Sequence, residues 1–437
     1  MKPVPPPQVA RLARPNEAQR AAARSAPWSA RWLLVAPHRL GFFAAALMLS
    51  LSALWWCAVL LARAMGLALP WHVAAASAHA LLMSMAFMPM FFTGFLFTAG
   101  PKWLDLPEVP ARSLLPALLC MLTGWCGVLP GFHIGSAVSA TGLALVALGW
   151  SMVSWRFMGL VRHSRAPERL HPILVAIACA VGAVVLWVDV AALALRHDVL
   201  LRCAIQFGLW GFLAVLFAVV SHRMIPFFGA SAVPVLDAWR PLWLLWAMIG
   251  LLWLQAMLAV VERTGWPIGP AFRWFQCAIE APGALLLLWL TWRWGLVQSL
   301  KIRMLAMLHG GFLWLGVAIG LQALSHGLMA LTGNELSLGL APVHALTMGY
   351  LGATMFAMTT RVASGHGGRP VAADNPAWTL YWVLQAAVLL RVAGALWPSG
   401  GATLTLAAVL AWLVATVGWS WRYGNGFGRP RPDGRPG

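Results

Sequence analysis

Two short stretches of the chain repeat each other, and each begins with a histidine inside an apolar run. His79 opens the pentapeptide HALLM and His344 opens HALTM. In both, a methionine follows four residues later, on the same face of a helix. Neutral imidazole binds iron, copper and zinc, and histidines from two facing helices can hold a haem iron from opposite sides. The repeated motif therefore predicts a paired-histidine site for a metal or a haem.

Four other histidines lie in or beside apolar runs and extend the set of candidate metal ligands. His309 and His326 share one apolar run, but a helical rise of 1.5 Å per residue separates them by about 25 Å. They therefore belong to opposite halves of the membrane. We predict a second group made of His222, His309 and His366, and we assign His326 to the half that holds the repeated motif. A single histidine in a membrane helix can also simply hydrogen-bond a neighbouring helix.

A charged residue inside an apolar run needs a partner, and Arg391 is such a residue. Its position near the end of a run puts it in the same half of the membrane as the repeated motif. Two partners are open from the sequence: the carboxylate of Asp189, or a haem propionate at the level of His79 and His344. In a competing arrangement, one of these two histidines binds iron and the other binds copper together with His326.

The composition identifies the class of protein that positions these side chains. Hydrophobic residues make up 61% of the 437 residues, and charged residues only 10%. Soluble domains are about 45–50% apolar, and the apolar runs here reach the roughly 20 residues that cross a bilayer. The formal net charge of +18 lies in short loops between the runs, where cations orient membrane spans. We therefore expect a polytopic membrane protein that binds no nucleic acid.

The apolar runs predict an all-α bundle of about twelve transmembrane helices. Residues 1–38 are rich in Pro, Ala and Arg and predict a disordered tail, residues 39–423 form the membrane domain, and residues 424–437 form a second disordered tail. The predicted spans lie at about 41–61, 73–98, 113–130, 136–156, 172–195, 203–222, 241–261, 276–292, 304–328, 340–360, 377–397 and 402–421.

The distribution of lysine and arginine predicts the orientation of this bundle. Of these residues, 24 fall on the side that holds both chain ends and 5 on the opposite side. By the positive-inside rule, both termini are cytoplasmic. His79 and His344 then lie roughly 6–10 Å below the periplasmic boundary.

Four separated motifs together resemble the NnrS family of bacterial membrane proteins. They are HALTMGYLGATMFAMTTRVASGHGGRP at 344–370, RMIPFF at 223–228, GFLFTAGPKW at 94–103, and the Leu308-His309 pair. The resemblance implies a twelve-span inner-membrane protein that binds haem and copper and takes part in nitric oxide metabolism or protection from nitrosative stress. It implies functional roles for His79, His309, His344, His366 and Arg223.

The sequence departs from this family at one point. Many members have His-Ala-His-Glu where this chain has His79-Ala80-Leu81-Leu82, so a second histidine and a carboxylate are absent. The departure affects the copper site more than the haem, and His222 is a candidate replacement ligand. The implied partners are inner-membrane lipids and nitric oxide, with no electron donor identified. The alternatives are a redox enzyme similar to the haem-copper oxidases, or a transporter with structural histidines.

Overall fold

A computed structural model of the protein describes residue 17 and residues 25–368, 370–397 and 399–433. Throughout these residues the regular secondary structure is helical, without a strand. The predicted tails at 1–38 and 424–437 fall partly outside the described residues and stay predictions.

Within the described residues, twelve long helices make up the bundle. They are α1 Pro37–Ala64, α2 Ala75–Trp103, α3 Leu115–Ile134, α4 Ser136–His163, α5 Leu170–Ala194, α6 Asp198–Ala232, α7 Leu242–Val261, α8 Pro270–Arg293, α9 Arg303–Leu331, α10 341–366, α11 Asn375–Leu396 and α12 Gly401–Phe427. Eleven of these are long and apolar enough to cross a membrane. The twelfth, α10, corresponds to the predicted span at 340–360 and is built from three consecutive helical segments. The predicted all-helical membrane bundle is confirmed.

Burial separates inner helices from outer ones. In the most apolar stretch of α2 and of α6, 89% of the residues are buried, against 28% in α11 and 33% in α12. Nearly every residue of α10 between 345 and 360 is also buried. A helix whose surface is covered by other helices lies in the interior of the bundle, whereas the less covered helices leave an apolar surface that can face lipid. The two repeated motifs therefore lie on inner helices.

All three inner helices are irregular. In α2 the regular helix is interrupted between Met85 and Met88, one residue ahead of Pro89. Wider π-helical turns occupy Gly208–Ala214 in α6 and Ala345–Gly352 in α10. Such turns are rare and often occur at functional sites. The π turn of α10 begins directly after His344.

Glycines allow the closest helix contacts. A Cβ atom added to Gly41 of α1 would lie 2.5 Å from the backbone of Gly94 in α2. One added to Gly311 of α9 would lie 2.7 Å from the backbone nitrogen of Thr354 in α10. Small residues let membrane helices approach backbone to backbone, and these contacts fix α2 and α10 against their neighbours.

The two ends of the described chain meet at one face of the bundle. The amide of Ser29 donates a hydrogen bond of 2.8 Å to the carbonyl of Gly428. The guanidinium of Arg39, at the start of α1, donates to the carbonyl of Arg429 at 2.7 Å. We call this side the terminal face, and the other side the opposite face.

Candidate functional site

The structure brings the two repeated histidines together near the opposite face. The ring centroids of His79 on α2 and His344 on α10 are 6.4 Å apart, and the ring planes differ by 21°. The indole of Trp56, from α1, stacks on the His79 ring at 4.0 Å between centroids. Three helices thus contribute to one aromatic cluster. The two histidines lie close together in it, as their shared depth predicts, whereas Trp56 was not predicted.

The ring nitrogens of this pair differ in their partners. Nδ1 of His344 lies 2.9 Å from the carbonyl oxygen of Leu340, one turn earlier. A carbonyl only accepts, so Nδ1 carries the proton and Nε2 keeps its lone pair. The Nδ1 atom of His79 is buried and has no hydrogen-bond partner among the described residues. A buried polar atom without a partner calls for an explanation such as an absent ligand.

Arg391 lies close enough to both imidazoles to interact with them electrostatically. Among the ion pairs of the described residues, none involves Arg391. Asp189, the other partner considered from the sequence, is fully buried, and both of its carboxylate oxygens lack a hydrogen-bond partner in the described chain. Arg391 therefore lies within electrostatic range of the histidine pair. No hydrogen bond or ion pair joins Arg391 to Asp189 in the described chain.

His326 lies in a separate cluster of charged residues near the opposite face. Its Nδ1 is 2.8 Å from a carboxylate oxygen of Glu280, and its Nε2 is 3.0 Å from one of Glu262. Carboxylates accept from both nitrogens only if the imidazole carries two protons. Arg273 also pairs with Glu262, and Gln255 donates to Glu280 at 2.8 Å. Both nitrogens of His326 are thus engaged, and the structure does not offer it as a copper ligand beside His79 or His344.

His222 lies in a hydrogen-bonded chain at the terminal face. Its Nε2 is 3.2 Å from the carbonyl of Pro241, to which it must donate. Its Nδ1 is therefore the acceptor for Nε2 of His171, 3.0 Å away. Nδ1 of His171 lies 2.9 Å from Glu168, which also pairs with Arg223. Arg223, to which the family resemblance gives a functional role, thus holds the carboxylate at the end of this chain.

His309 is fully buried and both of its nitrogens face backbone carbonyls. Nδ1 is 3.0 Å from Leu305 O and Nε2 is 3.1 Å from Trp294 O. The ring of Trp294 also lies 6.1 Å from that of His222. His222 and His309 therefore share one region, as predicted, but with protein partners on every ring nitrogen.

His366, the third member of the predicted group, lies elsewhere on the terminal face. Its ring centroid is 4.8 Å from that of His38 at the start of α1. The structure thus divides the predicted trio into two places. Within the residues that the structure describes, no cluster of three or more His, Cys, Asp or Glu side chains has the arrangement to hold a metal ion.

Several of these partners were not singled out from the sequence. They are His38, His171, Glu168 and Glu262. The available signal was depth: each lies at the same membrane level as the histidine that it contacts. Depth alone does not give the rotation of a helix about its axis or the order of its neighbours.

Fold and site together define a class of protein. It is an all-helical, polytopic membrane protein with two imidazoles from inner helices. An arginine without a carboxylate partner in the described chain lies within electrostatic range of both. The model of one family, described as NnrS protein, matches residues 32–431. The chain therefore belongs to the NnrS family and is a membrane protein related to the nitric oxide response. No curated protein matches it at a significant level.

Proposed function

We propose that the protein binds one haem between His79 and His344 and acts in nitric oxide metabolism or nitrosative-stress protection. The observation that supports this most is the separation of 6.4 Å between the two ring centroids. Two imidazoles that bind one metal ion from opposite sides at about 2 Å have ring centres about 6 Å apart. The buried Nδ1 of His79 and the free Nε2 of His344 are compatible with such a group.

The neighbouring residues would orient this pair. The hydrogen bond from His344 to the Leu340 carbonyl fixes the tautomer and ring orientation, as outer-shell partners of metal-binding histidines do. Trp56 restricts the ring of His79. Arg391 supplies a positive charge at the same level, which suits a haem propionate. Haem with two histidine ligands would supply one-electron transfer at this position.

The residues do not fit copper in the predicted group of His222, His309 and His366. Copper needs ring nitrogens with free lone pairs, whereas both nitrogens of His222 and of His309 already contact protein groups. His366 lies beside His38 instead. We therefore propose haem as the cofactor and derive no copper site from this group.

A separate cavity supports nitric oxide as the small ligand. It has a volume of about 40 Å³. Its lining comes from α2, α6, α9 and α10 and is apolar apart from the hydroxyls of Ser221, Thr354 and Thr359. An apolar cavity of 150 Å³ holds a benzene molecule, and one water needs about 10–15 Å³ and several polar partners. The size and lining of this cavity suit an apolar diatomic molecule better than a water cluster or an aromatic ring.

We further propose that the protein resides in the bacterial inner membrane with both termini in the cytoplasm. The contact between Ser29 and Gly428 joins the two ends of the described chain at one face. The 24-to-5 bias of lysine and arginine supports a cytoplasmic position for that face. The haem would then lie near the periplasmic side.

The haem content of the purified protein, with its reduced-minus-oxidised optical spectrum, tests the proposal. The wild type should contain about one haem per chain, and both His79→Ala and His344→Ala should lose most of it. His133→Ala is a matched control, because His133 is also on the opposite face but is held by Trp55 and the Pro70 carbonyl. A wild-type protein without haem, or equal loss in the control, would contradict the proposal.

A further inference from the structure

A cavity at the terminal face lies on the other side of the bundle from the paired histidines. Its volume is about 160 Å³, and it is lined by the start of α1, the end of α10, and the end of α12 with the segment that follows it. The lining includes His38, Arg39, Gly367, Tyr423 and Arg429. We infer that this pocket is a binding site for a small oxyanion, a function separate from the proposed haem site.

The polar groups of the pocket are built into the fold. His38 is 2% exposed and Arg39 is 3% exposed. The Nδ1 atom of His38 is buried without a hydrogen-bond partner in the described chain, which is costly unless a ligand satisfies it. Arg39 is fixed by its bond to the Arg429 carbonyl, so its guanidinium is oriented before any ligand arrives.

The surrounding charges favour an anion over a metal cation. Besides Arg39 and Arg429 in the lining, Lys102 and Arg431 interact electrostatically with both His38 and His366. Asp433 offsets Arg431 through two bonds of 3.0 and 2.7 Å, and Glu108 interacts with His366. Four cations against two carboxylates leave an excess of positive charge. In a partly buried site this excess repels a divalent metal and attracts an anion.

The start of α1 adds to this attraction. The helix runs for 28 residues from Pro37, and the amino end of a helix carries a partial positive charge that favours anions. His38 and Arg39 belong to this first turn. The helix end, the buried imidazole and the arginines therefore all favour an anion in the same pocket.

The volume of the pocket limits the size of the ligand. A cavity near 150 Å³ holds about six heavy atoms, as with benzene. Nitrite, nitrate and inorganic phosphate fit this limit, whereas a nucleotide does not. The same chemistry would accept the phosphate group of a lipid, because the pocket lies at a membrane face.

The test is titration of the purified full-length protein, in uncharged detergent at constant ionic strength, with nitrate, nitrite or phosphate against chloride. Binding is followed by calorimetry and by the shift in melting temperature. We expect saturable binding of at least one oxyanion. Arg429→Gln should weaken it about tenfold, because it removes one charge-assisted contact. Arg429 is exposed, so Arg429→Gln should fold. His38→Gln is a second variant that tests the same pocket.

Arg162→Gln is the matched control, since it removes a cation from the same face outside the pocket. Native mass spectrometry distinguishes the two sources of the oxyanion. A phospholipid that is retained by the wild type, lost in Arg429→Gln and displaced by phosphate would identify a lipid phosphate in the same site. Equal effects of chloride and the oxyanions, equal weakening in Arg162→Gln, or Cu²⁺ binding that depends on His38 and His366 would overturn the inference. None of these readouts depends on haem.

Discussion

The rings of His79 and His344 lie 6.4 Å apart and within 21° of parallel, although they come from helices far apart in the chain. Both helices are buried, and both are irregular beside the histidine or within two turns of it. The pairing turns a sequence repeat into a three-dimensional site. It carries the proposal that this member of the NnrS family binds haem near the face opposite to its termini.

The orientation of the bundle can be tested directly. A green fluorescent protein fused after Gly437 should be fluorescent, because the folding of this reporter requires the cytoplasm, and an alkaline phosphatase fused there should be inactive. The cation bias of 24 to 5 gives the reason. Active phosphatase with a dark fluorescent fusion would place the termini in the periplasm and reverse the assignment of both faces.

Replacing His326 should lower stability strongly. His326→Leu leaves Glu280, which is fully buried, without its imidazole partner, and breaking a buried ion pair costs about 3–5 kcal/mol. We expect a clear fall in melting temperature in detergent. His72→Leu is the control, since His72 is exposed on the same face.

A double replacement sharpens this test. Exchanging both members of a buried pair for apolar residues is often nearly neutral. His326→Leu combined with Glu280→Leu should therefore be more stable than His326→Leu alone. If the double variant is the less stable of the two, the ion pair is not the source of the effect.

The sequence predicted the depth of the histidines in the membrane better than it predicted the residues that they contact. Apolar runs gave the helices, and the shared HAL motif with equal depth gave the pair of His79 and His344. The contact of His326 with Glu280 joins residues 46 positions apart on adjacent helices. Such a contact depends on how each helix is rotated about its axis, which depth does not determine. For the same reason, the sequence predicts His366 in one group with His222 and His309, whereas its ring packs on that of His38.

Replacing Asp189 should raise stability, in contrast to replacing His326. Both carboxylate oxygens are buried without a partner in the described chain, and an unsatisfied buried group costs about 1–3 kcal/mol. Asp189→Leu should therefore raise the melting temperature. The stability changes of Asp189→Leu and Arg391→Gln should also add independently, because no hydrogen bond or ion pair joins the two residues in the described chain. A stability loss in Asp189→Leu that disappears in the Arg391→Gln background would instead reveal an ion pair between them.

Acid should weaken the chain of groups at the terminal face. Burial raises the pKa of Glu168, but hydrogen bonds from His171 and Arg223 outweigh it and lower the pKa to about 2. A carboxyl with a depressed pKa contributes stability above its unfolded pKa of about 4.3, and this contribution is lost as the pH falls towards the folded value. The melting temperature of the wild type should therefore fall between about pH 4.3 and pH 2.

A comparison of two variants isolates this contribution. Glu168→Gln should be less stable than the wild type at neutral pH, and the difference should shrink as the pH falls through that window. Glu335→Gln, which changes an exposed carboxylate on the opposite face, should show neither effect. A constant difference between wild type and Glu168→Gln across the whole range would show that the ion pair does not titrate as described.

The central claim is that His79 and His344 bind one iron from opposite sides. The most direct measurement is the electron paramagnetic resonance spectrum of the ferric protein, in the wild type and in His79→Gly with and without added imidazole. We predict a low-spin, six-coordinate signal in the wild type, a high-spin signal in whatever haem His79→Gly retains, and a return of the low-spin signal with imidazole. A high-spin wild type that binds carbon monoxide after reduction, or a low-spin signal unchanged in His79→Gly, would contradict the claim.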